Sequence, residues 1–389
     1  MKQLAIILAA PFTEQNFQRM GIPFFSQYFE VVVLQCMKWV TDNHVEDCDS
    51  SLDYSFIKNV ESESDFENKI SSLNAKYVID YVGVTDKTRK IQDILHRYNI
   101  ELVVQKTGTI PYRKKDALSN LVYAFFDPRY YFRLFRNFIK ARFLKVEMLL
   151  PPDITLLAGS KSLDGWNAEA KEKIWIHSND YEAYLKLESL EIKEDKNKPR
   201  YSVFLDEYLP YHSDFKLLSI KNPVNNPEAY YSQLDTIFSL YEMQTGQEVV
   251  IAAHPASSYT DKGLVFRGRR IEYGKTASLV RSADFVFAHM STSVSFAVLY
   301  KKPLLFLTNN KLSKSIIGWN VETFARELNT PMLNMNHFSE IELKAIFENP
   351  VVDKTFYQKY TNDYIKTELV EETSQWEPFL RYLKEKNQC

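Results

Sequence analysis

Glycine is scarce in this chain, with only 10 among 389 residues, which excludes the glycine-rich phosphate loops of the Walker and dinucleotide-binding types. The three cysteines have neither the spacing of metal ligands nor the pattern of a disulfide framework, so we expect a reducing, cytoplasmic setting. A net charge of −2 argues against a general nucleic-acid binder. No apolar run reaches the roughly 18 residues that a membrane span needs.

The remaining composition is that of an ordinary globular protein with unusually many aromatic residues. Apolar residues make up 45% and charged residues 25% of the chain, whereas aromatic residues reach 14%. A length of 389 residues predicts two domains. The N-terminal segment MKQLAIILAAPF has a short apolar run without a cleavage site, so we expect a first β-strand there rather than a signal peptide.

Short apolar runs alternate with helical patterns along the whole chain, which predicts βα units and a parallel sheet in each half. Helical spacing occurs at Lys87–Tyr98, at Pro227–Thr245 (which Gly246 ends), at Lys275–Ser282 and at Phe356–Lys386. The predicted strands are Leu4–Ala9, Glu30–Leu34, Tyr77–Tyr81, Leu102–Lys106, Ile154–Ala158, Lys173–His177, Tyr201–Leu205 and Glu248–Ala253.

The charged stretch KLESLEIKEDKNKPR at 186–200 ends in proline and predicts a linker between two domains; a surface loop within one domain is the alternative. We expect an α/β protein with two Rossmann-like, doubly wound domains that face a cleft. The first domain spans 1–190 and the second spans 200–355, and the helical segment 356–389 packs back on the first.

A cluster of hydroxyl groups separates two apolar runs in SADFVFAHMSTSVSFAVLYKKPLLFL, residues 282–307. The first run, Phe285–Ala288, reads as a buried strand that ends at His289, and a helix follows the hydroxyl groups. Ser291, Thr292 and Ser293 would therefore lie at the carboxyl end of a strand, where phosphate groups bind in open parallel sheets. Plain capping of the helix by these side chains is the alternative.

The strand Glu248–Ala253 runs into His254-Pro255. Because proline restricts the residue before it to an extended conformation, the imidazole is held at the end of this strand. We expect His254 and the hydroxyl groups to follow neighbouring strands and to meet at one phosphate group, which a histidine can bind as a donor. The alternative is that His254 is only a polar strand terminus.

Two basic features lie between these segments. Gly274-Lys275-Thr276 opens a helix without the upstream glycines of a Walker loop, so Lys275 and Thr276 are candidates for nucleotide contacts or an ordinary helix start. The arginines of FRGRR, at 266–270, either neutralise phosphate groups or belong to a solvated hairpin.

Several polar side chains follow predicted strands and are candidates for acceptor binding or for a general base. Asp206 and Glu207 come directly after Tyr201–Leu205, and a polar loop is the alternative reading. The others are Thr13 and Glu14 after the first strand, Thr107 after the fourth, and His177 and Asp180 after the sixth.

The segment FFDPRYYFRLFRNFIKARFLK at 125–145 interleaves basic and aromatic residues. A helix of this kind suits an anionic membrane surface, and a core helix with snorkelling cations is the alternative. The expected membrane-surface residues are Arg129, Arg133, Arg136 and Lys140.

VVIAAHP, followed by GKTASLVRSADFVFAHMSTSVSFAVLYKKPLLFL, resembles the donor-binding half of GT-B glycosyltransferases that build bacterial surface polysaccharides. The His-Pro pair and the hydroxyl loop are similar to those of sialyl-, polysialyl- and Kdo transferases, over roughly 248–308. FTEQNFQRMGIPFF and FEVVVL also resemble capsule and O-antigen cluster proteins. The resemblance implies that His254 and the hydroxyl loop contact the phosphate and ribose of a CMP-sugar.

The chain departs from these families at their acidic-acidic-Gly motif, whose carboxylate is the catalytic base, because Tyr208 follows Asp206-Glu207 here. The base is therefore open among Asp206, Glu14 and Asp180. The resemblance implies a metal-independent glycosyltransferase without a cofactor, which uses a nucleotide-sugar and a glycan acceptor on a lipid carrier at the inner membrane surface. Pro255, Lys275 and Thr276 would join the donor site. A sugar-nucleotide epimerase and a non-catalytic assembly protein of polysaccharide synthesis are the alternatives.

Overall fold

The chain divides into two compact units in a computed structural model. Unit 1 comprises Met1–Thr107, Lys114–Ile176 and Thr373–Cys389, and unit 2 comprises Gly108–Arg113 and His177–Glu372. The structure describes residues 2–40, 54–112, 149–190, 199–212, 215, 221–260, 262–263 and 265–386. The membrane-surface prediction for Arg129, Arg133, Arg136 and Lys140 lies outside these residues.

Unit 1 is built on parallel strands with helices on both faces. Its strands are β1 (Gln3–Leu8), β2 (Glu30–Gln35), β3 (Ile57–Asn59), β4 (Ala75–Tyr81), β5 (Glu101–Lys106), β6 (Ile154–Ala158) and β7 (Glu172–Ile176). They form a seven-stranded sheet in the order β3-β2-β1-β4-β5-β6-β7. Its helices before residue 177 are α1 (Glu14–Arg19), α2 (Ile22–Phe25), α3 (Met37–Val40), α4 (Glu63–Ser72), α5 (Thr88–Arg97) and α6 (Gly165–Ala168), with a 3₁₀ turn at Ser160–Ser162.

Strand β1 is apolar on both sides because both faces of the sheet are covered. Leu4, Ile6 and Leu8 belong to one buried cluster, whereas Ala5 and Ile7 belong to the cluster on the other face. This two-sided burial explains why the strand reads as a continuous apolar run rather than an alternating one.

Unit 2 is built on a second parallel sheet. Its strands are β8 (Tyr201–Leu205), β9 (Glu248–Ala253), β10 (Ile271–Tyr273), β11 (Val286–Ala288), β12 (Leu304–Thr308) and β13 (Met332–Asn334). They form a six-stranded sheet in the order β10-β9-β8-β11-β12-β13. Its helices are α7 (Asn179–Glu188), α8 (Pro227–Thr245), α9 (Thr276–Ser282), α10 (Val294–Leu299), α11 (Ile316–Leu328), α12 (Glu340–Glu348) and α13 (Lys354–Tyr360), with 3₁₀ turns at Leu209–Tyr211 and Leu312–Lys314.

Local residues determine where helix α8 begins and ends. The Asn226 side chain accepts a hydrogen bond from the Ala229 N–H at 3.0 Å, and Pro227 occupies the first turn. Gly246 ends the helix in the left-handed conformation with φ 68°. One face is buried in the core of unit 2 through Tyr230, Leu234, Ile237, Phe238 and Tyr241.

The boundary between the units differs from the expected one. Residues 177–190 belong to unit 2 rather than to a first domain of 1–190, because helix α7 packs against α9 and α10 of unit 2. The short segment Gly108–Arg113 also belongs to unit 2, where Ile110 packs on the core.

The C-terminal segment is not the continuous helix that its spacing predicts. A π turn, Thr361–Ile365, follows α13. The chain belongs to unit 2 as far as Glu372. The last helix, α14 (Glu377–Glu385), lies in unit 1. Its apolar side packs into the core cluster that also contains β1, through Trp376, Phe379, Leu380 and Leu383. Only residues from Thr373 onward therefore return to unit 1.

Gly21 marks a close approach within unit 1. Its φ is 70°, and a Cβ atom at this position would meet the indole ring of Trp376. Glycine is thus required both by the backbone conformation and by the neighbouring ring.

Candidate functional site

The carboxyl ends of β8 and β11 are neighbours in unit 2, and the sheet extends from them in opposite directions. From β8 it continues through β9 to β10, and from β11 through β12 to β13. Ligands bind at such a reversal in open parallel sheets, because the loops on its two sides diverge and leave a crevice. Asp206 and Glu207 follow β8, and His289 and Met290 follow β11.

Asp206 is a buried carboxylate that connects three backbone segments. Its Oδ1 accepts a hydrogen bond from the Tyr208 N–H at 2.9 Å. Its Oδ2 accepts from the Tyr259 hydroxyl at 2.6 Å and from the His254 N–H at 3.4 Å. Burial raises the pKa of Asp206, and these donors oppose the rise. Both oxygens of Asp206 are therefore engaged within the protein.

Glu207 lies at the reversal itself and has fewer partners. Its Oε1 accepts a hydrogen bond from the Met290 N–H, which connects β8 to β11. Burial raises the pKa of Glu207 to about 8; the Met290 N–H opposes the rise and the Asp206 carboxylate adds to it. A carboxyl group that titrates near neutral pH suits proton transfer. Among the described residues of unit 2, Glu207 is the strongest acid–base candidate, whereas the sequence alone favoured Asp206.

Tyr208 follows the acidic pair directly, at the position where the sequence resemblance would place a glycine. Its φ of 52° and ψ of 32° lie in the left-handed region, which glycine adopts without strain and other residues adopt rarely. Asp206 supports this conformation by accepting the Tyr208 N–H. Although residue 208 is a tyrosine, its backbone therefore has the left-handed conformation that glycine favours.

His254 has a defined tautomer. Proline at 255 has no N–H, and the next backbone donor, Ala256 N–H, donates to His254 Nδ1 at 3.2 Å. Because Nδ1 accepts, the ring proton lies on Nε2, which is the donor of this imidazole. Ser257 closes the turn by donating its N–H and its hydroxyl to the His254 carbonyl, at 2.9 and 2.7 Å.

The hydroxyl loop follows β11, as predicted, and a six-residue helix, α10, begins after it. Ser293 precedes the helix, and its side chain makes no capping hydrogen bond. Ser291 Oγ accepts the Ser293 N–H at 3.2 Å. Ser291 and Ser293 are half-buried and Thr292 is exposed.

His289, the residue before this loop, has a structural role. Its Nδ1 lies 2.6 Å from the Leu307 carbonyl and its Nε2 lies 2.8 Å from the Tyr230 hydroxyl. Burial lowers the pKa of His289 to about 4, and the Leu307 carbonyl opposes this. The neutral ring therefore donates from Nδ1 and accepts at Nε2, which joins β11 to β12 and α8.

His254 and the hydroxyl loop do not follow neighbouring strands, so that prediction was wrong. Strand β10 pairs with the outer edge of β9, and the next strand, β11, pairs with the far side of β8. Strand β8 thus separates them, and the acidic pair lies between the imidazole and the hydroxyl groups along the sheet edge. The same edge carries Lys275 and Thr276 after β10.

The basic side chains next to β10 are mostly engaged in ion pairs. Arg269 contacts Asp235 and Glu242, each at 2.7 Å, with only 10% of its side chain exposed. Arg267 contacts Asp235 at 3.2 Å, and Lys275 contacts Glu272 at 3.0 Å. The arginines of FRGRR therefore stabilise unit 2 through ion pairs.

His177 and Asp180 lie around the start of α7 in unit 2. His177 is 1% exposed, and its Nδ1 lies 3.2 Å from the Ser178 carbonyl. Burial raises the pKa of Tyr360, the Ser295 hydroxyl opposes the rise and the Asp180 carboxylate adds to it. Asp180 thus lies in the neighbourhood of the helix after the hydroxyl loop, whereas His177 is enclosed.

The candidates of unit 1 have local partners. Thr13 caps α1 by accepting the Asn16 N–H at 3.3 Å, and Glu14 accepts from the Tyr54 hydroxyl at 2.9 Å. Thr107 follows β5 and is half-buried.

Sequence reasoning missed Asp80, at the carboxyl end of β4 beside β1. Burial raises the pKa of Asp80 to about 6, and the N–H groups of Val82 and Gly83 oppose the rise. The signal was a single acid within the apolar strand AKYVIDY.

An open cleft of about 840 Å³ lies beside the start of α8. Its lining includes Tyr211, Asn226, Lys262 and Arg267. Of the candidates from the sequence, the described lining includes Arg267 but not His254, the acidic pair or the hydroxyl loop. The described helices also include none that is long and apolar enough to cross a membrane.

Comparison with known proteins shows similarity of structure alone. No family model matches the chain and no curated protein matches it significantly. MnaA from S. aureus, in a structure with UDP, aligns over 100% of this chain and 98% of its own, with 12% identity and a TM-score of 0.52. A UDP-N-acetylglucosamine 2-epimerase from Rickettsia bellii aligns over 99% and 96%, with 11% identity and a TM-score of 0.50.

A rhamnosyltransferase, spinosyn SpnG, aligns over 98% of this chain and 100% of its own, with 12% identity and a TM-score of 0.50. Transferase and epimerase structures therefore match the whole chain equally well. The expected α/β class with two Rossmann-like units is confirmed, and the chain has the GT-B fold that these enzymes share.

Proposed function

We propose that the chain is a glycosyltransferase that moves a sugar from a nucleotide-sugar to a hydroxyl group of a glycan acceptor. Unit 2 binds the donor and unit 1 binds the acceptor. The observation that carries the proposal is the buried pair Asp206–Glu207 at the sheet reversal of unit 2, with His254 at the end of the adjoining strand. The fold supports it, because structures that share it include a rhamnosyltransferase and a UDP complex.

In this proposal the donor phosphate accepts a hydrogen bond from His254 Nε2–H. The backbone of Ala256 holds the ring in the tautomer that has this donor. Such a preorganised donor is most effective where negative charge develops, which is the leaving phosphate. The other donor-site residues are Pro255, Lys275, Thr276, Ser291, Thr292 and Ser293.

We assign the general base to Glu207 rather than to Asp206. The ionised Glu207 takes the proton of the acceptor hydroxyl, whose oxygen bonds to the anomeric carbon as the bond from that carbon to the phosphate oxygen breaks. The electron pair of that bond leaves with the nucleotide. A pKa of about 8 leaves part of Glu207 ionised near neutral pH, whereas three donors hold Asp206 in place. Glu14 and Asp180 are the further candidates.

The finer assignment follows the sequence resemblance. We propose a CMP-sugar as the donor and a lipid-linked glycan of surface polysaccharide synthesis as the acceptor. Thr13 and Thr107 are the proposed acceptor contacts in unit 1. His177 is buried in unit 2, so we do not retain it as an acceptor contact. The proposed reaction uses no metal or cofactor and takes place in the cytoplasm at the inner membrane surface.

The first experiment is a thermal-shift screen of the chain against CMP, UDP, GDP and dTDP, followed by His254→Ala and His254→Gln with the preferred nucleotide. The Gln variant places an amide donor near the position of Nε2, so it should bind the nucleotide more tightly than the Ala variant. The control is His96→Ala, which removes an exposed imidazole at the end of α5 in unit 1. Equal nucleotide affinity in all three variants would refute the phosphate assignment.

An epimerase is the second candidate, because an epimerase structure matches the chain as well as a transferase does. The two activities differ in whether they need an acceptor. An epimerase converts a nucleotide-sugar without an acceptor, whereas a transferase releases the nucleotide only when an acceptor hydroxyl, or water, takes the sugar. NMR of the chain with UDP-N-acetylglucosamine alone decides between them: a second sugar-nucleotide would favour the epimerase.

A further inference from the structure

Asp206 holds the ends of two neighbouring strands together. It follows β8 and is only 5% exposed. One of its oxygens accepts the N–H of His254, which follows β9, and the same oxygen accepts the hydroxyl of Tyr259. The bond to His254 is long, at 3.4 Å, whereas the bond to Tyr259 is short, at 2.6 Å. The hydroxyl is therefore the contact that fixes the direction of this oxygen.

The loop between His254 and Tyr259 explains how this hydroxyl reaches Asp206. Both donors of Ser257 bind the His254 carbonyl, which turns the chain back on itself directly after Pro255. The Tyr259 ring then packs edge-on against the rings of Tyr208 and Phe266, each with centroids 5.3 Å away. The ring is 6% exposed, and its hydroxyl is the polar group that faces the carboxylate.

We propose that Tyr259 is a positioning residue for the imidazole of His254: its hydroxyl holds the Asp206 carboxylate on the His254 N–H and thereby fixes the turn that orients the ring. This inference rests on the proposed function only for the ligand, which is the phosphate group of a nucleotide. The contacts themselves do not depend on that assignment.

The charge of Asp206 supports the same role. Burial raises the pKa of Asp206, and the Tyr259 hydroxyl is the largest of the influences that lower it, followed by the N–H groups of Tyr208 and His254. Without the hydroxyl, the carboxyl group accepts its proton more readily and becomes a weaker acceptor for the His254 N–H. The turn after β9 then loses one contact with the segment after β8, whereas the Tyr208 hydroxyl still donates to the Ser258 carbonyl at 3.1 Å.

The test is Tyr259→Phe, which removes the hydroxyl and keeps the buried ring. Tyr357→Phe is the matched control, because Tyr357 is also buried and its hydroxyl donates to the Lys302 carbonyl at 2.8 Å, in another part of unit 2. Both variants lose one buried hydrogen bond. They differ in whether that bond holds Asp206.

The first readout needs no ligand. Nitrogen-15 NMR of histidine-labelled protein reports the tautomer of each ring, and His254→Gln identifies the His254 signals. We expect the wild type and Tyr357→Phe to show the Nε2–H tautomer, and Tyr259→Phe to show averaged or broadened signals. Unchanged His254 signals in Tyr259→Phe would overturn the proposal, whether or not any nucleotide binds.

The second readout is nucleotide affinity by calorimetry. The Tyr259 hydroxyl bonds Asp206 and not the ligand, so its loss weakens binding only through the orientation of His254. We expect nucleotide binding to weaken by up to about tenfold in Tyr259→Phe and to stay unchanged in Tyr357→Phe. Asp206→Asn should weaken binding alone and add nothing in the Tyr259→Phe background, whereas additive losses would count against the shared role. If the NMR change occurs but the wild type binds no nucleotide, the positioning role stands and the proposed function fails.

Discussion

Replacing Glu207 by glutamine should make unit 2 more stable at neutral pH. The amide keeps an oxygen that can accept the Met290 N–H and removes the ionisable group. Burial holds the pKa of Glu207 at about 8, above its ordinary value of 4.5. The folded state therefore retains a proton that the unfolded state releases between these values, and the stability of the wild type falls as pH rises through this range.

The magnitude follows from the two pKa values. The difference between about 8 and 4.5 is about 3.5 units, and each unit corresponds to about 1.4 kcal/mol. The wild type should thus lose at most about 5 kcal/mol relative to Glu207→Gln between pH 4.5 and pH 8. Below pH 4.5 the carboxyl group is protonated in both states, so the difference between the two proteins should stay constant there.

The assay is thermal unfolding of both proteins from pH 5 to pH 8, followed by circular dichroism. For a unit of this size 1 kcal/mol shifts the melting temperature by about 2–4 °C, so the gap should grow to on the order of 10 °C. Glu368→Gln is the control, since Glu368 is an exposed carboxylate of the same unit. Parallel curves for the wild type and Glu207→Gln would refute the reasoning, because Glu207 would then not be a protonated, buried group.

Three further predictions concern stability and use matched substitutions. Arg269→Ala should cost on the order of 3 kcal/mol, because it leaves the partly buried Glu242 without its ion-pair partner and Asp235 with Arg267 alone. Arg270→Ala should cost less than about 1 kcal/mol at its exposed ion pair; urea unfolding measures both. Tyr208→Gly should be about 1 kcal/mol more stable than Tyr208→Ala, since both lose the ring and only alanine is strained at φ 52°; equal denaturation midpoints would contradict the left-handed conformation. Gly21→Ala should destabilise unit 1 by about 2 kcal/mol, because its Cβ would meet the Trp376 ring, and a wild-type melting curve would contradict that packing.

Local signals in the sequence define the longer elements well. The bounds of β8, β9 and α8 agree with the prediction, because apolar runs are punctuated there by His-Pro, Asn-Pro and glycine. The edge strands β3, β10 and β13 went unpredicted. Each has three residues, too few to show a period, and their pairing depends on the neighbouring strand.

The places of two candidate residues in the fold could be predicted from the sequence. His254 and Asp206 were chosen because they directly follow predicted strands, and parallel strands bring such residues to one edge. The order of the strands is not a local property, so the separation of His254 from the hydroxyl loop by β8 was not foreseen. The assignment to Glu207 depends on the burial that raises its pKa, and no sequence pattern around residue 207 indicates that burial.

The late position of helix α14 in the sequence affects how unit 1 folds during translation. The residues that complete the core of unit 1, Trp376 and Phe379 among them, are translated only after all of unit 2. Before these residues emerge from the ribosome, one face of the unit 1 sheet is covered only in part, by residues such as Ile22 and Phe25. The exposed apolar remainder favours aggregation or chaperone binding. A premature stop codon before 373 would thus harm unit 1, although the lost residues follow unit 2 in the sequence.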